Sequence, residues 1–126
     1  MKRDWDMVRL ILTKLEELPN TDSYLTLGDF ASTDPERAYV ISYHVSLLMS
    51  AGLVNGQMSA TLGRGPKNFS ASRLTWEGHE FLDAIRSESV WNKTKETFAS
   101  RGIEMTFDLI KTVASGIAVS FLGLPA

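Results

Sequence analysis

One helix in this sequence has both of its ends written into it, and that constrains everything around it. Asp34-Pro35 marks the start: an aspartate accepts from free backbone N–H groups as N-cap, and proline suits the first helical position. Gly52 marks the stop, as a left-handed cap after Ala51. Ala38, Ile41, Val45 and Leu48 form its predicted buried stripe, and Tyr39, Tyr43, Ser46 and Ser50 its opposite face. Extended sequence follows at once, from Leu53 to Ser59 and again from Phe69 to Leu74. Between these runs lies Gly63-Arg64-Gly65-Pro66-Lys67-Asn68, which is loop material. A capped helix leading directly into a β-hairpin with a long basic tip is the expectation.

The flanking segments extend this order. Trp5, Val8, Ile11, Leu12 and Leu15 recur at spacings of three and four, which predicts a first helix over Asp4–Leu18, ended by Pro19-Asn20. Tyr24-Leu25-Thr26 reads as a short strand and Leu27–Ala31 as a short helix. After the hairpin, Thr75 caps a helix whose apolar positions are Trp76, Phe81, Leu82 and Ile85. Ser89 opens another, with Trp91 and Phe98 two turns apart and Gly102 at its end. Thr106–Leu122 is helical by pattern. The predicted class is mainly α with a small β-hairpin (α+β): a winged helix-turn-helix with two additional C-terminal helices. The expected division is a winged-helix domain over 1–87 and a helical extension over 88–126.

Composition bounds the function. The 126 residues fall in the size range of one domain. There is no cysteine, which excludes disulfides and thiolate metal sites. Met1-Lys2-Arg3-Asp4-Trp5-Asp6 is charged with no apolar run after it, unlike a secretory signal, so the expected location is the cytoplasm. The net charge of −2 counts against a dedicated nucleic-acid binder. Its distribution counts the other way. From Arg37 through Arg73 there are four basic residues and no acidic one, so this window is +4 and the rest of the chain carries −6. The basic excess lies where a recognition helix and wing would lie.

Several segments resemble a known family. They are Met1-Lys2-Arg3-Asp4-Trp5-Asp6 with Arg9, Tyr43-His44-Val45, Ala51-Gly52-Leu53, the run from Arg73 to Arg86, and Val90-Trp91-Asn92-Lys93. Together they are similar to a bacterial and phage family known as domain of unknown function 2513. The run Arg73-Leu74-Thr75-Trp76-Glu77-Gly78-His79-Glu80-Phe81-Leu82-Asp83-Ala84-Ile85-Arg86 is the most specific part. The resemblance implies a winged-helix fold and a phage or mobile-element origin, and it carries no assigned activity. Leu74-Thr75-x-x-Gly78 also resembles the end of the wing in MarR-type repressors, which speaks to fold more than to function.

On a DNA-binding reading, Arg37, Tyr39, Ser42, Tyr43 and Ser46 of the long helix meet the duplex. Arg64 and Lys67 at the wing tip, with Arg73 at its base, contact phosphates or the minor groove. The helix is poor in long base-reading donors beyond Arg37, whereas tyrosine and serine suit phosphate contacts. On the alternative reading, Tyr39 and Tyr43 pack against the C-terminal helices or a protein partner, and the wing tip is a solvated loop.

Enzyme chemistry has little to stand on. His79-Glu80-Phe81-Leu82-Asp83 resembles a zincin helix with Asp in place of the second histidine, but no third ligand is evident and His44 is the only other histidine. Gly63-x-Gly65-Pro66 lacks the Lys-Ser/Thr end of a phosphate-binding loop. No metal, cofactor or catalytic residue is expected.

The last segment is unusual in having no charged side chain after Lys111. Phe107, Ile110, Val113, Ile117 and Phe121 make a long apolar stripe. The uncharged run is shorter than the roughly twenty residues that a membrane span needs. A helix buried against its own domain and a second subunit fits better, giving a homodimer that presents two wings. The expected function is a small DNA-binding regulator of phage or mobile-element origin. The alternative is a protein-binding module on the same scaffold that modulates or inhibits a host protein.

Overall fold

Asp4 sets the first element. Its carboxylate accepts from the N–H groups of Asp6 and Met7, and helix α1 follows over Trp5–Glu16. The structure, a computed structural model, describes residues 1–31, 33–60 and 62–125. Its elements are α1, a 3₁₀ helix at Leu27–Phe30, α2 (Pro35–Ser50), β1 (Val54–Met58), β2 (Phe69–Leu74), α3 (Trp76–Ile85), α4 (Glu88–Arg101) and α5 (Phe107–Phe121). The chain is therefore mainly helical with one two-stranded antiparallel sheet, in the order that the sequence predicts. Contacts divide it into Met1–His79 and Glu80–Ala126, with the division inside α3.

In Met1–His79, α1 packs on α2 and on β2, and α2 packs on β1. Met7, Val8, Ile11, Leu12 and Leu15 of α1 are buried, as are Ile41, Val45 and Leu48 of α2. The predicted strand at Tyr24–Thr26 shrinks to a single bridge: Leu25 pairs with Ala71, with N···O distances of 2.9 Å in both directions. Pairing of β1 with β2 runs from Val54↔Leu74 to Met58↔Phe69, with a register shift at Asn55/Gly56.

The hairpin returns to the end of α2 through a built joint. The Thr75 N–H donates to the Leu53 carbonyl at 3.0 Å, and Thr75 Oγ1 donates to the Gly52 carbonyl at 2.6 Å. The same hydroxyl accepts from the Gly78 N–H at 3.0 Å, which caps α3. A Cβ on Gly78 would overlap the Leu53 carbonyl oxygen, so only glycine lets α3 start this close to the hairpin. The Leu74-Thr75-x-x-Gly78 pattern thus has a steric and hydrogen-bonding cause. Trp76, read from the sequence as an apolar helix position, is instead 76% exposed. It occupies the first turn of α3, before the buried stripe of that helix begins at Phe81.

In Glu80–Ala126, α4 packs on α5. Its cap is Ser87, whose hydroxyl accepts from the Val90 N–H, so α4 begins at Glu88, ahead of the Ser89 start that the sequence suggested. Trp91 and Phe98 are buried, and the buried Thr94 hydroxyl donates to the Val90 carbonyl at 2.7 Å. Thr106 caps α5 by accepting from the Leu109 N–H. Phe107 stacks on Phe81, with centroids 4.6 Å apart, and Lys111 lies over the Phe107 ring at 5.2 Å.

Candidate nucleic-acid interface

Helix α2 presents an outer face opposite its buried stripe. Glu36, Tyr39, Tyr43, Ser46 and Ser50 follow one another at spacings of three and four, so they share that face. Tyr39 is 41% exposed, Tyr43 and Ser46 are half-buried, and Glu36 and Ser50 are exposed. Arg37 is exposed too, but it lies outside this face, about 160° around the helix from Tyr39 and in line with the buried His44 and Leu48 one turn or more further on. Glu36 was legible as a member of the stripe, three residues before Tyr39, and it adds an anion to a face otherwise made of tyrosine and serine.

Ser42 does not belong to this face. It is buried, and its hydroxyl donates to the Lys67 carbonyl at 2.6 Å. Its role is to tie the hairpin loop to α2, and it is not presented to a ligand. Asn68 makes the second tie: its Oδ1 accepts from the Leu27 N–H at 3.1 Å and from the Phe69 N–H at 2.8 Å. Ser59 N–H donates to the Asn68 carbonyl at 2.8 Å and closes the stem of the loop. The loop base is thus fixed to both the 3₁₀ helix and α2. Arg64, Lys67 and Arg73 are all exposed, and the fixed carbonyl is that of Lys67 itself. The structure therefore sets the Lys67 backbone beside α2, at Ser42.

His44 anchors α2 from the inner side. Its ring is fully buried, three residues after Ile41 and four before Leu48, a spacing that places it on the buried stripe. Nε2 accepts from the Asp4 N–H at 2.7 Å, and Nδ1 lies 2.7 Å from the Val40 carbonyl. Because the Asp4 amide can only donate, Nε2 is the accepting nitrogen and Nδ1 donates to the Val40 carbonyl. It joins the start of α1 to the middle of α2.

The stripe of α5 divides by burial. Ile110 is fully buried within the chain, and Phe107 is half-buried against Phe81, so Ile110 has no surface left for a partner. Val113 and Ile117 are half-buried, and Phe121 is 57% exposed. Leu109, which the sequence reading did not single out, is also exposed. On α3, Asp83 pairs with Arg86 at 2.8 Å, and His79 Nδ1 is 3.9 Å from Glu16 Oε2. Among the described residues no group of three His, Cys, Asp or Glu side chains is placed to hold a metal ion. Among them, too, no helix is long and apolar enough to cross a membrane.

A family model described as "Hypothetical protein (DUF2513)" matches residues 2–104, which include every element from α1 to α4. The chain belongs to this family. A relative from Haemophilus influenzae (strain ATCC 51907 / DSM 11121 / KW20 / Rd), described as "Uncharacterized protein", is 40% identical over 122 residues, covering 97% of this chain and 99% of its own length. No solved structure matches the chain.

Proposed function

We propose that this DUF2513 protein is a winged-helix DNA-binding module, a transcriptional regulator of phage or mobile-element origin that works in the cytoplasm. The observation that carries the reading is the Ser42–Lys67 hydrogen bond. It holds a cationic hairpin loop against the helix that would enter the groove, the pairing that a helix and wing need to grip one duplex together. The bridge of Leu25 to Ala71 supplies the third strand position of such a fold. Arg37, Arg64, Lys67 and Arg73 would neutralise phosphates, and Tyr39, Tyr43 and Ser46 would line the groove. A homodimer formed through the part of the α5 stripe that is not fully buried, Val113, Ile117 and Phe121, would offer two such surfaces to a two-fold site. The reading is of a binding module, without a cofactor, in place of an enzyme.

The outer face of α2 favours a second reading, a module that binds and modulates a host protein. Its Tyr39, Tyr43, Ser46 and Glu36 give rigid aromatic area with short polar neighbours, which suits protein contacts. Fluorescence anisotropy with a random-sequence duplex separates the two. Phosphate neutralisation makes affinity fall steeply with salt. Absence of binding at low salt would leave the protein-binding reading standing.

A further inference from the structure

Resting on the DNA-binding reading, we infer that Glu36 is a specificity-determining residue that accepts from the exocyclic amine of a cytosine in the major groove. Glu36 sits in the first turn of α2, the end that a recognition helix carries deepest into the groove. It leads the outer stripe that continues through Tyr39 and Tyr43. Its carboxylate makes no hydrogen bond or ion pair among the described residues, so it is free to meet a ligand. Its chemistry then limits what that ligand can be. A carboxylate is an acceptor only and is repelled by phosphates, so on a DNA-facing surface it is tolerable over the groove floor, where the phosphates are farthest. There the cytosine N4 amine is its complement, whereas guanine offers O6 and N7 acceptors, thymine an O4 acceptor and a methyl group, and adenine sets an N7 acceptor that repels a carboxylate beside its N6 amine. The serines on this face are too short to compete, and the tyrosines suit phosphate contacts.

Glu36 also complements the α2 dipole, as any first-turn acid does. That contribution is the same whatever the DNA sequence, so only a role in readout changes sequence preference. The test is selection of binding sites from a randomised duplex pool, with the full chain and with Glu36→Gln, a substitution at an exposed site that keeps length and removes charge. Glutamine pairs with the N7 and N6 edge of adenine. The expected result is a motif with one strongly preferred cytosine, replaced by adenine in the variant. On single duplexes this would appear as about a ten-fold change in relative affinity between the two bases. The same motif from both proteins, or duplex binding with no motif at all, would overturn the role of Glu36 and leave DNA binding intact. No retention of any duplex at low salt would overturn both.

Discussion

The Ser42 hydroxyl donates to the Lys67 carbonyl across a sequence separation of 25 residues, and this one bond sets the hairpin loop beside α2. Replacing Ser42 with Ala removes the donor while keeping the helix. The bond is only part-buried, so the cost should be about 1 kcal/mol, seen as a fall in melting temperature of roughly 4 °C. Duplex affinity should fall further than this small loss of stability explains, because the loop loses its tie to α2 and keeps only the Asn68 tie to the 3₁₀ helix. An unchanged affinity would mean that loop placement does not matter to binding.

Two glycines in helices should respond in opposite directions to alanine. At Gly78 a methyl group would overlap the Leu53 carbonyl, so Gly78→Ala must push α3 off the hairpin and should cost about 2 kcal/mol or more. At Gly116, in the interior of α5, nothing lies within 4 Å of an added Cβ. Gly116→Ala should therefore stabilise the chain by about 0.5–1 kcal/mol through helix propensity alone. Urea unfolding of both variants checks the pair.

His44→Ala leaves the Asp4 N–H without its acceptor and opens a cavity where a fully buried ring had been. The loss should be on the order of 2–4 kcal/mol. Hydrogen exchange should also quicken at the Asp4 amide and through the first turn of α1, more than at the hairpin amides. Uniform acceleration everywhere would contradict a local anchoring role.

Much of this fold was legible from end signals. Asp34-Pro35 and Gly52 bounded α2, and the extended run from Phe69 to Leu74 is strand β2. The α5 segment was legible by its apolar pattern, and its Thr106 cap is a local device of the same kind, a hydroxyl that accepts from a free N–H. What stayed hidden depends on contacts distant in sequence. Ser42 looks like any serine of an outward face until Lys67 arrives from the hairpin, and Trp76 looks like core until the position of its turn is known. Ile110 and Phe121 are equivalent in periodicity, and only packing makes one buried and the other exposed. Glu36 was readable by spacing, three residues before Tyr39 and just outside the basic window that begins at Arg37.

If α5 joins two copies, the exposed Phe121 leads the contact, with the half-buried Ile117 and Val113 beside it on the same stripe. Phe121→Asp should then convert a dimer into a monomer in sedimentation equilibrium. It should leave the helical circular dichroism signal intact, because Phe121 is the last residue of α5. A monomeric starting protein would contradict the dimer.

The central claim, that the cationic hairpin and α2 together grip DNA, is tested most directly by the salt dependence of duplex affinity. Anisotropy titrations would compare the intact chain with a variant in which Arg64, Lys67 and Arg73 are alanine. The account predicts that log affinity falls linearly with log salt, and that the variant binds more weakly with a slope shallower by about 3, one for each phosphate contact removed. Equal slopes for the two proteins, or no binding by the intact chain at low salt, would contradict it.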